Sequence, residues 1–197
     1  MYAWELPTSL EVGGKEYAIR TDYRVILDIL AAMNDPEIFV PGMTEEEKKM
    51  EQSMTMLQIL YIDFDSMPPK DWQEAMKKAV DFIDCGIKGD DKPKPRSMDW
   101  EQDAPIIAPE ISKIAGRDIR IGETHWWEFF GYYLGIGEGV FNTIVSIREK
   151  KRKGKKLEKW EQEFYRNNKS LVDLKIKKAE RSEEEKEELR KLFGFNK

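Results

Sequence analysis

The chain has almost none of the side chains that most often carry metal or redox chemistry. Its 197 residues include one cysteine and one histidine. The single cysteine, Cys85, excludes an intramolecular disulfide and a tetrahedral cysteine zinc site. The single histidine, His125, excludes a metal site built from several histidines. We therefore expect no metal and no cofactor, and a chain compatible with a reducing compartment.

Long apolar runs are also missing. No segment reaches the roughly 18 uninterrupted apolar residues that predict a transmembrane helix. The most apolar stretch, residues 126–147, is interrupted by Glu128 and Glu138. The N-terminal sequence lacks the basic and apolar regions of a secretory signal. We therefore expect an intracellular protein with no membrane partner.

The chain has fewer basic than acidic residues. Lysine and arginine number 33 against 38 aspartate and glutamate residues, which gives a formal net charge of −5. A general nucleic-acid binder needs a basic surface to offset phosphates, so no nucleic-acid partner is expected. Charged residues make up 36% of the chain. That fraction is above average and typical of long helices with solvated faces.

The spacing of apolar residues predicts a mainly α fold, a multi-helix globular domain with a short N-terminal β-hairpin. Strand-like runs flank Gly13 and Gly14, and glycine accepts the positive φ of a tight turn, so a hairpin is predicted over residues 9–20. Later segments carry apolar residues three and four apart. Thr44 followed by Glu47 forms a capping box, and Thr124 is predicted to cap another helix.

We predict one helical domain over residues 1–174. A polar, proline-spaced linker is predicted inside it at residues 87–98. The helix predicted after this linker, Trp100 to Ala115, contains Pro105 and Pro109, so a kink or a broken first turn is expected. Residues 175–197 are almost wholly charged and are predicted to form a C-terminal helix or tail.

Two features resemble catalytic or metal chemistry, and both favour structural interpretations. His125 has no serine or cysteine nucleophile tied to it by any pattern, so we interpret it as a packed or hydrogen-bonded ring. Asp99 and Asp103 are four residues apart and could share a metal on one helix face. Acidic residues are also favoured in a first helical turn by the helix dipole, and no motif places further ligands. We predict no catalytic, cofactor-binding or metal-binding residue, and no enzyme activity.

The tryptophans that follow His125 are predicted to be core residues. Truncation of Trp127 to alanine is expected to cost the roughly 3–5 kcal/mol that is typical of a buried aromatic side chain. Five methionines between residues 50 and 76 are interpreted as core residues as well, although methionine also suits adaptable binding grooves.

The densest positive charge lies between Arg148 and Lys159, where eight basic residues accompany two glutamates. Trp160, Phe164 and Tyr165 follow at the spacing of a buried helix face. Basic and aromatic residues together can bind nucleic acid, but the acidic chain favours a solvated turn or a docking patch for an acidic partner. The candidate partner-binding residues are Arg148, Lys150, Lys151, Arg152, Lys153, Lys155 and Lys156.

Three segments carry a family resemblance: LPTSLEVGGKEYAIRTDYRVILDIL, DWEQDAPIIAPEI and the stretch from THWWEFF to EFYRNN. They resemble a conserved small protein of tailed bacteriophages and prophages of Gram-positive bacteria. Its genes lie in the tail cluster, near those for the major tail protein and the tape measure protein. The most specific part is the HWW block followed by Phe141, Ile144, Val145 and Arg148. The resemblance covers residues 5–170.

Proteins at that gene position are usually interpreted as tail assembly chaperones. The resemblance therefore implies a non-enzymatic tail assembly factor that binds the tape measure protein and other tail proteins in the host cytoplasm. A homo-oligomer is compatible with it, and the family offers no catalytic residue to carry over. A structural virion component of the tail or head–tail connector is the alternative. The residues themselves leave open a metal-dependent nuclease that uses Asp99 and Asp103.

Overall fold

The computed structural model describes residues 5–34, 43–87 and 95–175. These residues form a two-stranded antiparallel hairpin and eight α-helices, with two short 3₁₀ turns. The prediction of a mainly α fold with an N-terminal β-hairpin is confirmed. No helix among the described residues is long and apolar enough to cross a membrane.

The described residues form two compact units, and the boundary between them falls inside the linker predicted at 87–98. The N-terminal unit comprises residues 5–34 and 43–87, and the C-terminal unit comprises residues 95–175. The single domain predicted over 1–174 stays a prediction. Residues 176–197 of the predicted tail lie outside the described residues.

The N-terminal unit contains the hairpin and three helices. Its elements are β1 Ser9–Val12, β2 Lys15–Ala18, α1 Tyr23–Met33, α2 Glu45–Leu60 and α3 Trp72–Ile83, with 3₁₀ turns at Phe64–Ser66 and Pro69–Asp71. The hairpin forms as predicted because its turn consists of two glycines with φ of +60° and +77°. A Cβ on Gly13 would lie 2.9 Å from the carboxylate of Asp71, so a larger residue would displace that side chain in addition to straining the backbone.

The capping box predicted at Thr44 is present. The side chain of Thr44 accepts a hydrogen bond from the amide of Glu47, and Glu47 accepts one from the amide of Thr44. The methionine interpretation holds for Met56 and Met67, which are buried, but is wrong for Met50, which is 64% exposed. The reason is that the buried residues of α2 all lie in its second half.

The C-terminal unit consists of five helices. They are α4 Ala104–Ala115, α5 Trp126–Leu134, α6 Val140–Arg152, α7 Lys159–Asn167 and α8 Lys169–Val172. The expected broken first turn is present, since α4 begins at Ala104 and Pro105 occupies its first turn, where the missing N–H costs nothing. Pro109 lies inside the helix.

Two apolar clusters hold the C-terminal unit together. One is aromatic: Trp126 packs between Phe129 and Phe130, and Trp100 lies across Trp126 with ring centroids 6.3 Å apart. The other joins α6 to the end of the unit. In it the fully buried side chains Ile144, Ile147 and Val172 are covered by Ile106, Leu157, Phe164 and Tyr165.

Candidate functional site

Arg148 lies on the buried face of α6. The helix buries Phe141, Ile144 and Ile147, and Arg148 follows Phe141 by seven residues, which returns it to the same face. Only 7% of Arg148 is exposed. A cation at a buried helical position needs an anion and several acceptors around it, because an unpaired buried charge is costly.

All five N–H donors of the Arg148 guanidinium are used. Nη1 and Nη2 donate to the two carboxylate oxygens of Asp103 at 2.6 and 2.8 Å, which forms a bidentate pair. Nε donates to the carbonyl of Val172 at 2.6 Å, and the second Nη2 hydrogen reaches the carbonyl of Leu171 at 2.7 Å. The remaining Nη1 hydrogen points to the carbonyl of Ser97 at 3.3 Å.

This one side chain therefore ties three separate parts of the C-terminal unit to α6. They are the segment before α4, the start of α4 itself and the segment at the end of α8. Asp103 is 1% exposed, so the pair is closed to solvent. Arg148 was among the candidate partner-binding residues, but its side chain lies inside the unit and has no free donor for a partner.

Lys150 holds the start of α7. Its ammonium contacts Glu161 at 2.6 Å, and Glu161 is 1% exposed. The second carboxylate oxygen of Glu161 accepts from the amide of Glu158 at 2.8 Å. The hydrogen bond from Lys150 is the main reason that the pKa of Glu161 is lowered, and it outweighs the effect of burial. Glu161 thus fixes the turn that joins α6 to α7.

Lys151 holds the segment that follows α8. Its ammonium contacts Asp173 at 2.5 Å and lies 3.7 Å from the centroid of the Tyr165 ring. The Tyr165 hydroxyl donates to Asp173 at 3.0 Å. Burial alone would raise the pKa of Asp173, but the hydrogen bonds from Lys151 and Tyr165 lower it overall. The side-chain amide of Gln102 adds a donor to the carbonyl of Asp173 at 2.9 Å.

The next two basic residues share one partner. Lys153 lies 2.5 Å from Glu149, and Arg152 lies 3.6 Å from the same carboxylate. All three side chains are more than a third exposed, so these pairs contribute little to stability. A partner could exchange them at small cost.

Lys155 and Lys156 are exposed and have no ion pair within the described residues. Gly154, with φ of +64°, ends α6, and the amide of Lys155 donates back to the carbonyl of Lys150 at 2.8 Å. This helix end turns the chain outward before Leu157 packs back onto the core. The first five of the seven candidates, Arg148 to Lys153, thus have carboxylate partners within the unit. The last two, Lys155 and Lys156, have none among the described residues.

The predicted buried face of α7 is wrong in one position. Trp160 is 58% exposed, while its neighbour Glu161 is buried. The helix is turned so that Glu161, Phe164 and Tyr165 face the unit, because Glu161 must meet Lys150.

The residues that suggested chemistry have structural partners. Asp99 accepts from the amide of Gln102 at 2.5 Å and pairs with Arg96, and Arg148 occupies both oxygens of Asp103. Over residues 5–34, 43–87 and 95–175, no group of three ligand-type side chains could hold a metal ion.

His125 has a structural role, as predicted. Its Nδ1 accepts from the amide of Trp127 at 3.1 Å, which makes His125 the cap of α5. The predicted cap, Thr124, is buried one residue earlier, where its hydroxyl accepts from Arg117 at 2.6 Å. The cap prediction was therefore displaced by one residue.

A small cavity of about 170 Å³ lies beside the Arg148 pair. Its charged lining is Arg96, Arg148, Lys151, Arg152, Glu149 and Asp173. Each of its cations already has a carboxylate partner. The charge of this cavity is therefore largely balanced, which leaves the free lysine turn as the stronger candidate surface.

The lock between Lys150 and Glu161 predicts a specific dependence on pH. A carboxylate with a lowered pKa stabilises the fold above its ordinary value, about pH 4, and that contribution is lost as pH falls through the lowered value. We expect the urea midpoint of the protein to fall as the pH is lowered below about 4, because Glu161 must then become protonated against its lowered pKa. Glu161→Gln should show a smaller fall than the natural chain. An equal fall in both proteins would contradict the role given to Glu161.

Comparison with known proteins identifies one family. A family model described as Bacteriophage Gp15 protein matches residues 4–174 of the chain. No curated protein and no solved structure matches the chain significantly. The matched residues include the Arg148–Asp103 pair, the Lys150–Glu161 pair and the turn at residues 153–156. The chain belongs to the bacteriophage Gp15 protein family.

Proposed function

We propose that this phage protein is a non-enzymatic tail assembly factor that binds the tape measure protein during tail morphogenesis in the host cytoplasm. The observation that carries the proposal is the free lysine turn at residues 153–156, named for Lys155 and Lys156, which have no carboxylate partner among the described residues. The Lys150–Glu161 pair joins the helices on either side of this turn. A basic surface on an acidic phage protein suits the recognition of another protein. The partner is proposed from the resemblance of the chain to tail-cluster proteins.

The arrangement suits transient binding. A tape measure protein is long and helical and must be kept from aggregating until the tail tube encloses it. A factor that later leaves needs modest affinity and charge that steers the encounter. Lys155 and Lys156 supply exposed charge that no carboxylate of the described chain neutralises, whereas Arg148 and Lys150 keep the surface in one shape.

Co-expression tests the proposal. The affinity-tagged chain is produced together with the tape measure protein encoded by the same phage, and the soluble fraction is purified on the tag. We expect the tape measure protein to be soluble and to copurify, and we expect the chain to be absent from purified virions by mass spectrometry. Stoichiometric presence in virions would indicate a structural tail or connector component instead. Failure to copurify would overturn the proposal.

Charge reversal of the free turn should weaken this complex. We expect Lys155→Glu combined with Lys156→Glu to reduce the amount of copurified tape measure protein about tenfold or more, because close like charges now oppose an acidic partner. The unfolding midpoint should stay within the range of the natural chain, since neither side chain has an ion-pair partner among the described residues.

The matched control places the same change of charge elsewhere. Lys77 and Lys113 are exposed lysines on α3 and α4, with no ion pair among the described residues. Lys77→Glu combined with Lys113→Glu should copurify like the natural chain. Equal losses in both double variants would mean that net charge, and not the turn, controls binding.

A further inference from the structure

We propose that Trp160, with Lys155, Lys156 and Lys159 within five residues of it in the sequence, is the central contact for an acidic partner segment that carries a large apolar side chain. This inference rests on the proposed function and names the chemistry that its binding surface selects. It adds a residue that the sequence pattern had assigned to the core. It also adds an apolar requirement to what would otherwise be a purely electrostatic surface.

The orientation of α7 that buries Glu161 leaves Trp160 on the surface of the unit. Its side chain is 58% exposed and, within the described chain, makes no ring contact or hydrogen bond. Other tryptophans of the described chain are used internally: Trp72 donates to the carbonyl of Met67, Trp100 and Trp126 belong to the aromatic cluster, and Trp127 contacts the His125 ring. Exposed tryptophan that is free to be covered is among the residues that dominate binding energy at protein interfaces.

The helix that carries Trp160 is held firmly from its other side. Glu161 is buried against Lys150, and Phe164 and Tyr165 pack on the apolar cluster of α6. The hydrogen bond from the Glu158 amide to Glu161 fixes the first turn of α7. Trp160 is therefore presented by a preorganised element, which lowers the entropy lost when a partner binds.

The charge around Trp160 is unbalanced. Residues 153–160 contain four lysines and one glutamate. Lys155, Lys156 and Lys159 are exposed and have no carboxylate partner in the described part of the chain. Because these lysines lie within five residues of Trp160 in the sequence, we expect a segment that covers the indole to meet their positive charge. Complementarity therefore requires carboxylates around the apolar side chain that meets Trp160.

A polypeptide fits this surface better than a nucleic acid does. An indole with nearby lysines can also stack on bases, so the local chemistry admits both. The chain as a whole carries a net charge of −5, and its field opposes the approach of a long polyanion. A protein segment can place a few carboxylates locally without that penalty.

The test uses overlapping synthetic peptides that tile the tape measure protein of the same phage, probed with the purified full-length chain. We expect the natural chain to retain peptides that combine net negative charge with a large apolar residue. Trp160→Ala should weaken that binding about tenfold or more, as truncation of a central interface tryptophan does. Trp160→Phe should weaken it less. Leu134→Ala truncates an apolar residue that is 60% exposed elsewhere in the unit, and should bind like the natural chain.

The outcomes separate this inference from the proposed function. If the natural chain and Trp160→Ala retain the same peptides equally, the inference is overturned, while tape measure binding stands. If intact tape measure protein fails to copurify and no peptide is retained, the proposed function fails and the inference with it. If only a single-stranded oligonucleotide binds and Trp160→Ala abolishes that binding, the surface is a nucleic-acid site. Unchanged urea midpoints for the variants establish that each loss reflects binding rather than folding.

Discussion

Replacement of Arg148 by methionine is expected to lower the free energy of unfolding of the C-terminal unit by about 3–5 kcal/mol. The change leaves the carboxylate of Asp103 buried without its bidentate partner. It also removes the donors to the carbonyls of Leu171 and Val172, which then lack them in a closed environment. Breaking a buried pair from one side is costly because the remaining charge cannot return to water. Urea denaturation followed by tryptophan fluorescence measures the loss.

Three companion variants separate charge from geometry. Lys155→Met makes a closely similar change from cation to apolar side chain at an exposed position, and should stay within about 0.5 kcal/mol of the natural chain. Arg148→Lys keeps the positive charge but loses the bidentate geometry of the guanidinium. We therefore expect a loss of unfolding free energy between zero and that of Arg148→Met. Combining Arg148→Met with Asp103→Leu removes both charges and should recover part of the loss of Arg148→Met alone. A stability of Arg148→Met close to that of the natural chain would contradict the internal role of the pair.

Truncation of Trp126 to alanine is expected to cost about 3–5 kcal/mol, the largest loss among the tryptophans of this unit. Trp126 is 2% exposed and contacts the rings of Trp100, Phe129 and Phe130 with centroids between 5.5 and 6.3 Å apart. The substitution would leave a cavity that the three surrounding rings, held by their own contacts, can fill only in part. Thermal or urea unfolding measures the effect.

Trp127→Ala is the natural comparison. The sequence pattern predicted that both tryptophans after His125 are core residues, but the structure buries Trp126 and leaves Trp127 half-buried. We therefore expect a clearly smaller loss for Trp127→Ala, scaled to the smaller apolar area that it buries. A larger loss for Trp127→Ala than for Trp126→Ala would contradict the burial of Trp126 in the aromatic cluster.

Local signals in the sequence were sufficient for much of the fold. The paired glycines of the hairpin turn and the Thr44–Glu47 capping box act over a few residues, so their structures follow from the local sequence. The proline at position 105 likewise delayed the start of α4. Each of these features is decided by backbone geometry rather than by distant packing.

The buried pair of Arg148 and Asp103 could be predicted only in part from the sequence. Arg148 and Asp103 are separated by 45 positions in sequence, and no local pattern pairs them. One signal was present: Arg148 follows Phe141 and Ile144 at helical spacing, so it occupies the buried face of α6. A cation in that register predicts a buried anion, but the register does not identify which carboxylate meets it.

The orientation of α7 could not be predicted from the sequence, for a different reason. Trp160 and Glu161 are neighbours, so a rotation of the helix by about one residue, roughly 100°, exchanges them. Hydrophobicity alone favours a buried tryptophan and an exposed glutamate. The ion pair with Lys150 reverses that preference, and it becomes apparent only once α6 and α7 are packed together. The exposed indole that results is the basis of the inferred docking surface.

The most direct test of the account is a calorimetric titration of the purified chain into the tape measure protein at low and at high salt. If the free turn of residues 153–156 recognises an acidic partner, binding should be measurable at low salt. Affinity should fall severalfold as the Debye length shrinks from about 30 Å to about 8 Å, because exposed charges are then screened. No heat of binding at either salt concentration would contradict the proposed function. Binding that is indifferent to salt would contradict the assignment of that function to the lysine turn.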